Sequence, residues 1–74
     1  MSNLTDELIS EVKRVTAKKE RWLKMMWEHD MGPGMQLTIN IMQAEIEAAI
    51  FYLAHGNVKD RMRSFQTLKD YDDD

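Results

Sequence analysis

Cysteine is absent from this 74-residue chain. That excludes disulfide staples and thiolate metal sites, and nothing marks an oxidising compartment. Histidine occurs twice and serine three times, so no serine–histidine–aspartate arrangement announces a nucleophile with its base. Glu45 and Glu47 are the carboxylates nearest in spacing to a catalytic pair, but two residues along a helix sets them about 160° apart. No enzyme is expected and no catalytic residue is assigned. Apolar runs never approach the roughly 20 residues of a membrane span, and Met1–Ser10 lacks a basic start followed by an apolar stretch. The expectation is a cytoplasmic protein without membrane contact. Proline occurs once and glycine three times, all within two places, Gly32-Pro33-Gly34 and Gly56.

What remains is rich in methionine and polarised in charge. Hydrophobic residues make up 43% and charged residues 31%, the balance of a folded rather than a disordered chain. A chain of this length buries only about 60–65% of its unfolded surface, and small folds of this kind usually need a staple. With cysteine gone, oligomerisation is the staple left. The net charge of −3 argues against bulk nucleic-acid binding. Between Glu11 and Lys24, however, six basic residues face two acidic ones, a local +4, so the remainder carries −7 and ends in Asp70, Asp72, Asp73 and Asp74.

Apolar spacing predicts an all-α single domain. Leu4, Leu8, Val12, Val15, Trp22 and Met26 recur at three, four or seven residues, widened by Ile9, Thr16, Leu23 and Trp27. They define a helix over about 4–29, capped by Asn3 or Thr5 with Asp6 and Glu7 in its first turn. The Gly-Pro-Gly turn interrupts it, and so short a link favours an antiparallel helical hairpin. A second helix is expected over about 35–54, ended by Gly56 in the left-handed conformation. Asn57 caps a short third helix over about 58–68, with Val58, Met62, Phe65 and Leu68 on one face. The acidic tail beyond it is expected to fray, because the helix dipole disfavours negative charge at a C-terminus.

Helix two carries two apolar faces. Met35, Ile39, Met42, Ile46, Ala49, Ile50 and Leu53 fall on one side, and Leu37, Ile41, Ala44, Ala48 and Phe51 on the other. Gln36, Asn40, Gln43 and Glu47 line one edge between them, and Thr38, Glu45 and Tyr52 the opposite edge. A surface helix carries one apolar stripe. The second face therefore predicts a homo-oligomeric bundle with Leu37, Ile41, Ala44, Ala48 and Phe51 at the interface.

Four further features bear on binding. Lys13, Arg14, Lys18, Arg21 and Lys24 form a cationic row on helix one, opposite its apolar stripe. Such a row suits phosphate oxygens or an acidic protein surface, and equally serves as a solvated face. Lys19 lies inside the apolar arc, either as a snorkelling side chain or as a contact to a partner or ligand. The glycine-proline loop could receive an anion at a helix start, although a turn needs glycine anyway. Seven methionines, clustered with Trp22 and Trp27 around the bend, make Trp22, Trp27, Met31 and Met35 the expected hot spot. Glu28-His29-Asp30 is a compact run of potential metal ligands at a helix end, and adjacent ligands rarely share one ion. No metal or cofactor is expected.

In length, methionine and tryptophan content, three short helices and the ending Thr67-Leu68-Lys69-Asp70-Tyr71-Asp72-Asp73-Asp74, the whole chain resembles the small accessory proteins of tailed bacteriophages and prophages. The stretch from Ala49 through His55-Gly56-Asn57-Val58 to Leu68 has a similar helix–glycine–helix rhythm. The resemblance rests on no functional motif, so no residue role carries over. It implies a non-catalytic anti-defence protein that binds and inhibits a host protein in the host cytoplasm. Two alternatives stay open: an oligomeric sponge for a nucleotide immune signal, and a small nucleic-acid-associated regulator.

Overall fold

The structure is a computed structural model that describes residues 3–29 and 32–72. Three helices pack against one another: α1 (Leu4–His29), α2 (Gly32–His55) and α3 (Val58–Lys69). At 1.5 Å per residue α1 spans about 39 Å, which accounts for the long axis of a 40 × 22 × 17 Å body. The N-cap of α1 is Asn3, whose Oδ1 accepts from the Asp6 backbone N–H at 2.9 Å. Asn57 does the same for α3, accepting from the Asp60 N–H at 2.9 Å.

The core is thin. Leu8 and Val15 of α1, Ile39, Met42, Ile46 and Ala49 of α2, and Leu68 of α3 are buried. Val12, Trp22, Leu23, Met26, Met35, Leu53, Phe65 and Tyr71 pack around them. The inner face of α2 is therefore the one read from spacing, except that Ile50 lies exposed at its margin.

Four expectations need correction. The second helix starts at Gly32, not near Met35. Gly32 makes the turn with φ +77°, the one described glycine with positive φ, and Pro33 then sits in the first helical turn, where its fixed φ suits the helix and no N–H bond is lost. Gly56 is accordingly not left-handed. It continues the hydrogen-bond ladder, its N–H donating to Tyr52 O at 2.8 Å. A methyl group on Gly56 would lie 2.8 Å from both Cβ and O of Tyr52, so close approach is what demands glycine there.

The buried face of α3 is also rotated from the expected one. Leu68 and Ser64 point inward and Phe65 is half-buried, while Val58 and Met62 are exposed. Arg61 takes the inner position next to α2, donating to Tyr52 O at 3.0 Å and Leu53 O at 3.2 Å. It thus satisfies carbonyls that the end of α2 would otherwise leave open.

Finally, the acidic end leaves the helix after Lys69 but is anchored at Tyr71. Tyr71 packs against the core, and its hydroxyl donates to Glu45 Oε1 at 2.9 Å. Aromatic burial and this hydrogen bond outweigh the dipole's modest preference. Asp73 and Asp74 lie outside the described residues.

Candidate functional site

The cationic row of α1 is divided by the third helix. Lys18 is only 5% exposed. Its ammonium donates to the Asp72 carbonyl and lies 5.2 Å from the Trp22 ring centroid. Arg14 pairs with Glu11 and donates through Nη2 to Leu68 O at 2.8 Å. Two members of the row expected on the solvent side thus turn toward the carboxyl end of α3, where cations suit the dipole and the open carbonyls. Lys13, Arg21 and Lys24 stay on the exposed side of α1. Lys19 bridges the hairpin instead, donating to Gln43 Oε1 at 2.6 Å, while Gln43 Nε2 donates to Glu47 Oε1 at 3.1 Å.

The expected hot spot is also divided. Trp22 and Met35 pack against the core, whereas Trp27 is 82% exposed near the end of α1. Met31 lies outside the described residues, as does Asp30 of the Glu28-His29-Asp30 run. Among the described residues no three His, Asp or Glu side chains gather as a metal site would require. Glu45 and Glu47 occupy opposite edges of α2, one held by Tyr71 and the other by Gln43. A surface depression of about 510 Å³ is lined by Asp6, Glu7, Ser10, Glu11, Arg14 and Phe65. Three carboxylates around one guanidinium make it a poor seat for phosphate.

The outer face of α2 is the surface left without cover by the chain's own helices. Leu37 is 62% exposed, Ile41 47% and Phe51 58%, and Ala44 is exposed with them. Ala48 is half-buried toward α3, beside Glu45, Tyr52, Ser64 and Thr67. The Phe51 ring rests against His55 at 5.2 Å, one turn on, so the aromatic group stays on this face. Isolated exposed apolar residues are ordinary, but a contiguous row along one helix marks an interaction surface. This face is the candidate functional site.

Reading the spacing alone missed the inward turn of Arg14 and Lys18 and the docking of Tyr71. One signal was available for the last: Tyr71 follows Leu68 by three residues and so extends the buried stripe of α3. Burial, the hydrogen bond to Glu45 and the charge of that carboxylate together push the Tyr71 phenol from 10.0 up to about 12. A phenol held protonated in the fold contributes stability that is fully present below pH 10 and is lost as pH rises through about 12. Unfolding by urea at stepped pH checks this. The stability difference between wild type and Tyr71→Phe should hold constant below pH 10 and shrink between pH 10 and 12. A difference that stays flat throughout would show that the phenol is not coupled to folding.

No membrane-crossing helix is present among the described residues, since none is long and apolar enough. No family of proteins, curated protein or solved structure matches this chain.

Proposed function

We propose that this protein acts without catalysis, as a small binding protein that self-associates through the outer face of α2 and inhibits a host protein by covering part of its surface. The carrying observation is the exposed row of Leu37, Ile41 and Phe51 on a helix whose opposite face already fills the core. Self-association adds apolar burial to a fold whose own core is short of it. The partner-facing group is Trp27, the most exposed of the large apolar side chains described, with Lys13, Arg21 and Lys24 on the same helix steering approach to an acidic surface. The phage-accessory resemblance supports inhibition as the class of activity. A phosphate-holding sponge or a nucleic-acid regulator draws less support, because Arg14 and Lys18 are committed to carbonyls of the C-terminal segment.

Ile41→Glu tests the self-association. At a half-exposed helix position the change leaves the monomer fold within about 0.5 kcal/mol, yet a carboxylate buried in a helix–helix seam should weaken assembly by about a hundredfold. Light scattering should then report monomer where wild type is assembled, with unchanged far-ultraviolet circular dichroism. Equal masses for the two proteins would refute assembly through this face.

A further inference from the structure

Arg14, Lys18 and Trp22 stand four residues apart along one line of α1, about 6 Å per step. Arg14 Nη2 donates to Leu68 O at 2.8 Å, and the Lys18 ammonium donates to the Asp72 carbonyl beside the Trp22 ring. The two acceptors are likewise four residues apart, so the pair of donors grips a length of backbone rather than one point charge.

Of these contacts, only the one from Arg14 belongs to a helix end. The last carbonyls of α3, which stops at Lys69, accept a cation as an ordinary termination. Asp72 lies three residues further on, where no helical carbonyl needs satisfying. Yet Lys18 is the more enclosed cation, at 5% exposure, and its described partners are a carbonyl and a ring, neither carrying a full charge. Enclosing an ammonium in this way is costly, and an apolar side chain in its place would serve stability as well. The segment it holds is thinly attached. Asp70 and Asp72 are exposed, and Tyr71 alone reaches the core, fastened on its far side to Glu45 of α2.

We infer that residues 70–72 are an autoinhibitory strap, which occupies from within the chain a seat of Arg14, Lys18 and Trp22 for an acidic peptide segment of a partner. The strap itself gives the chemistry of that segment, since Asp70 and Asp72 are followed in the sequence by Asp73 and Asp74. Lifting it frees a guanidinium, an ammonium and an indole face on the basic stretch of α1. Those groups suit the carboxylates and backbone carbonyls of an acidic peptide. Only the acidity of the partner rests on the function proposed above. In the wild type the strap competes for its seat at an effective concentration on the order of millimolar, so an external segment binds poorly.

A fluorescent peptide of residues 68–74 is the probe, titrated by anisotropy with full-length proteins. Two variants loosen the strap differently. Tyr71→Ala removes its anchor, whereas Asp70→Lys with Asp72→Lys reverses its charge at exposed positions and leaves the core side chains in place. Each should bind the peptide at least about tenfold more tightly than wild type, and Lys18→Gln added to either should cancel that gain. A peptide of the same composition in scrambled order should bind more weakly by a similar factor. Where circular dichroism shows that Tyr71→Ala loses helix, the charge-reversed chain decides alone. Equal affinity for wild type and the loosened chains, or binding by none of them, overturns the strap. Equal binding of the scrambled peptide, or displacement by millimolar inorganic phosphate, makes the seat a plain anion patch and overturns its fit to a peptide. No host protein enters these titrations, so their failure leaves inhibition standing, and failure to capture a host protein leaves the strap standing.

Discussion

Replacing Met42 by alanine should lower the unfolding free energy by about 2–5 kcal/mol. Met42 is fully buried midway along the inner face of α2, among seven core side chains drawn from all three helices. Its removal leaves a cavity that the neighbours cannot close without shifting a helix, because Leu8, Val15 and Leu68 are themselves fully enclosed. A domain of this length has roughly 4–11 kcal/mol of stability, so the variant loses a large share of it. At about 4–8 °C per kcal/mol the midpoint of thermal unfolding falls by at least 8 °C. Met42→Leu conserves volume and should cost less than about 1.5 kcal/mol. Circular dichroism melts of the three proteins check the order. They must be run at one protein concentration, because self-association raises the apparent midpoint. Equal midpoints for Met42→Ala and wild type would mean that α2 buries a different face.

Gly56→Ala reverses the usual sign of a glycine-to-alanine change. Where the backbone permits it, that substitution stabilises by about 0.4–1 kcal/mol through the unfolded chain. At Gly56 the new methyl would sit 2.8 Å from Tyr52 Cβ and the Tyr52 carbonyl oxygen, and 2.9 Å from Tyr52 Cα. Two of those three atoms are backbone, so relief requires moving the end of α2. That end is pinned by Arg61 through the Tyr52 and Leu53 carbonyls. The expected loss is about 1–3 kcal/mol. Gly34→Ala serves as the matched control, because nothing lies within 4 Å of its added methyl and its φ is not positive. That variant should gain stability, by about 0.5–1 kcal/mol. Opposite shifts in the urea midpoint for the two glycines are the signature, and shifts of one sign would contradict the packing at the α2–α3 junction.

Local rules recovered most of the fold. The span of α1, the cap at Asn57 and the two faces of α2 follow from periodicity and capping chemistry, which operate within one or two turns of chain. Spacing does not locate the start of α2, because proline is a breaker inside a helix but a good first-turn residue, and the pattern does not say which role applies. Spacing groups Val58 and Met62 on one face with Phe65 and Leu68. Yet the inner position at that level is held by Arg61, whose guanidinium meets carbonyls no apolar side chain could satisfy.

The candidate site was legible to a different degree in each part. The apolar row of Leu37, Ile41, Ala44, Ala48 and Phe51 was readable as surplus, since one helix cannot bury two opposite faces in a chain this short. The cationic row was not. Within α1, Lys18 follows Val15 by three residues and precedes Trp22 by four, at the margin of the apolar stripe, whereas Lys24 lies on the far side. The withdrawal of Lys18 and Arg14 is decided only where the chain 54 residues on presents its carbonyls to them.

Amino-acid order alone therefore settled that three helices form and that the middle one is apolar on both sides, because turn geometry and side-chain period are short-range properties. Which face of α3 is buried, which cations are withdrawn from the surface, and where Tyr71 comes to rest depended on how helix ends meet. Those contacts join residues far apart in the chain, and their energies compete only once the helices are packed.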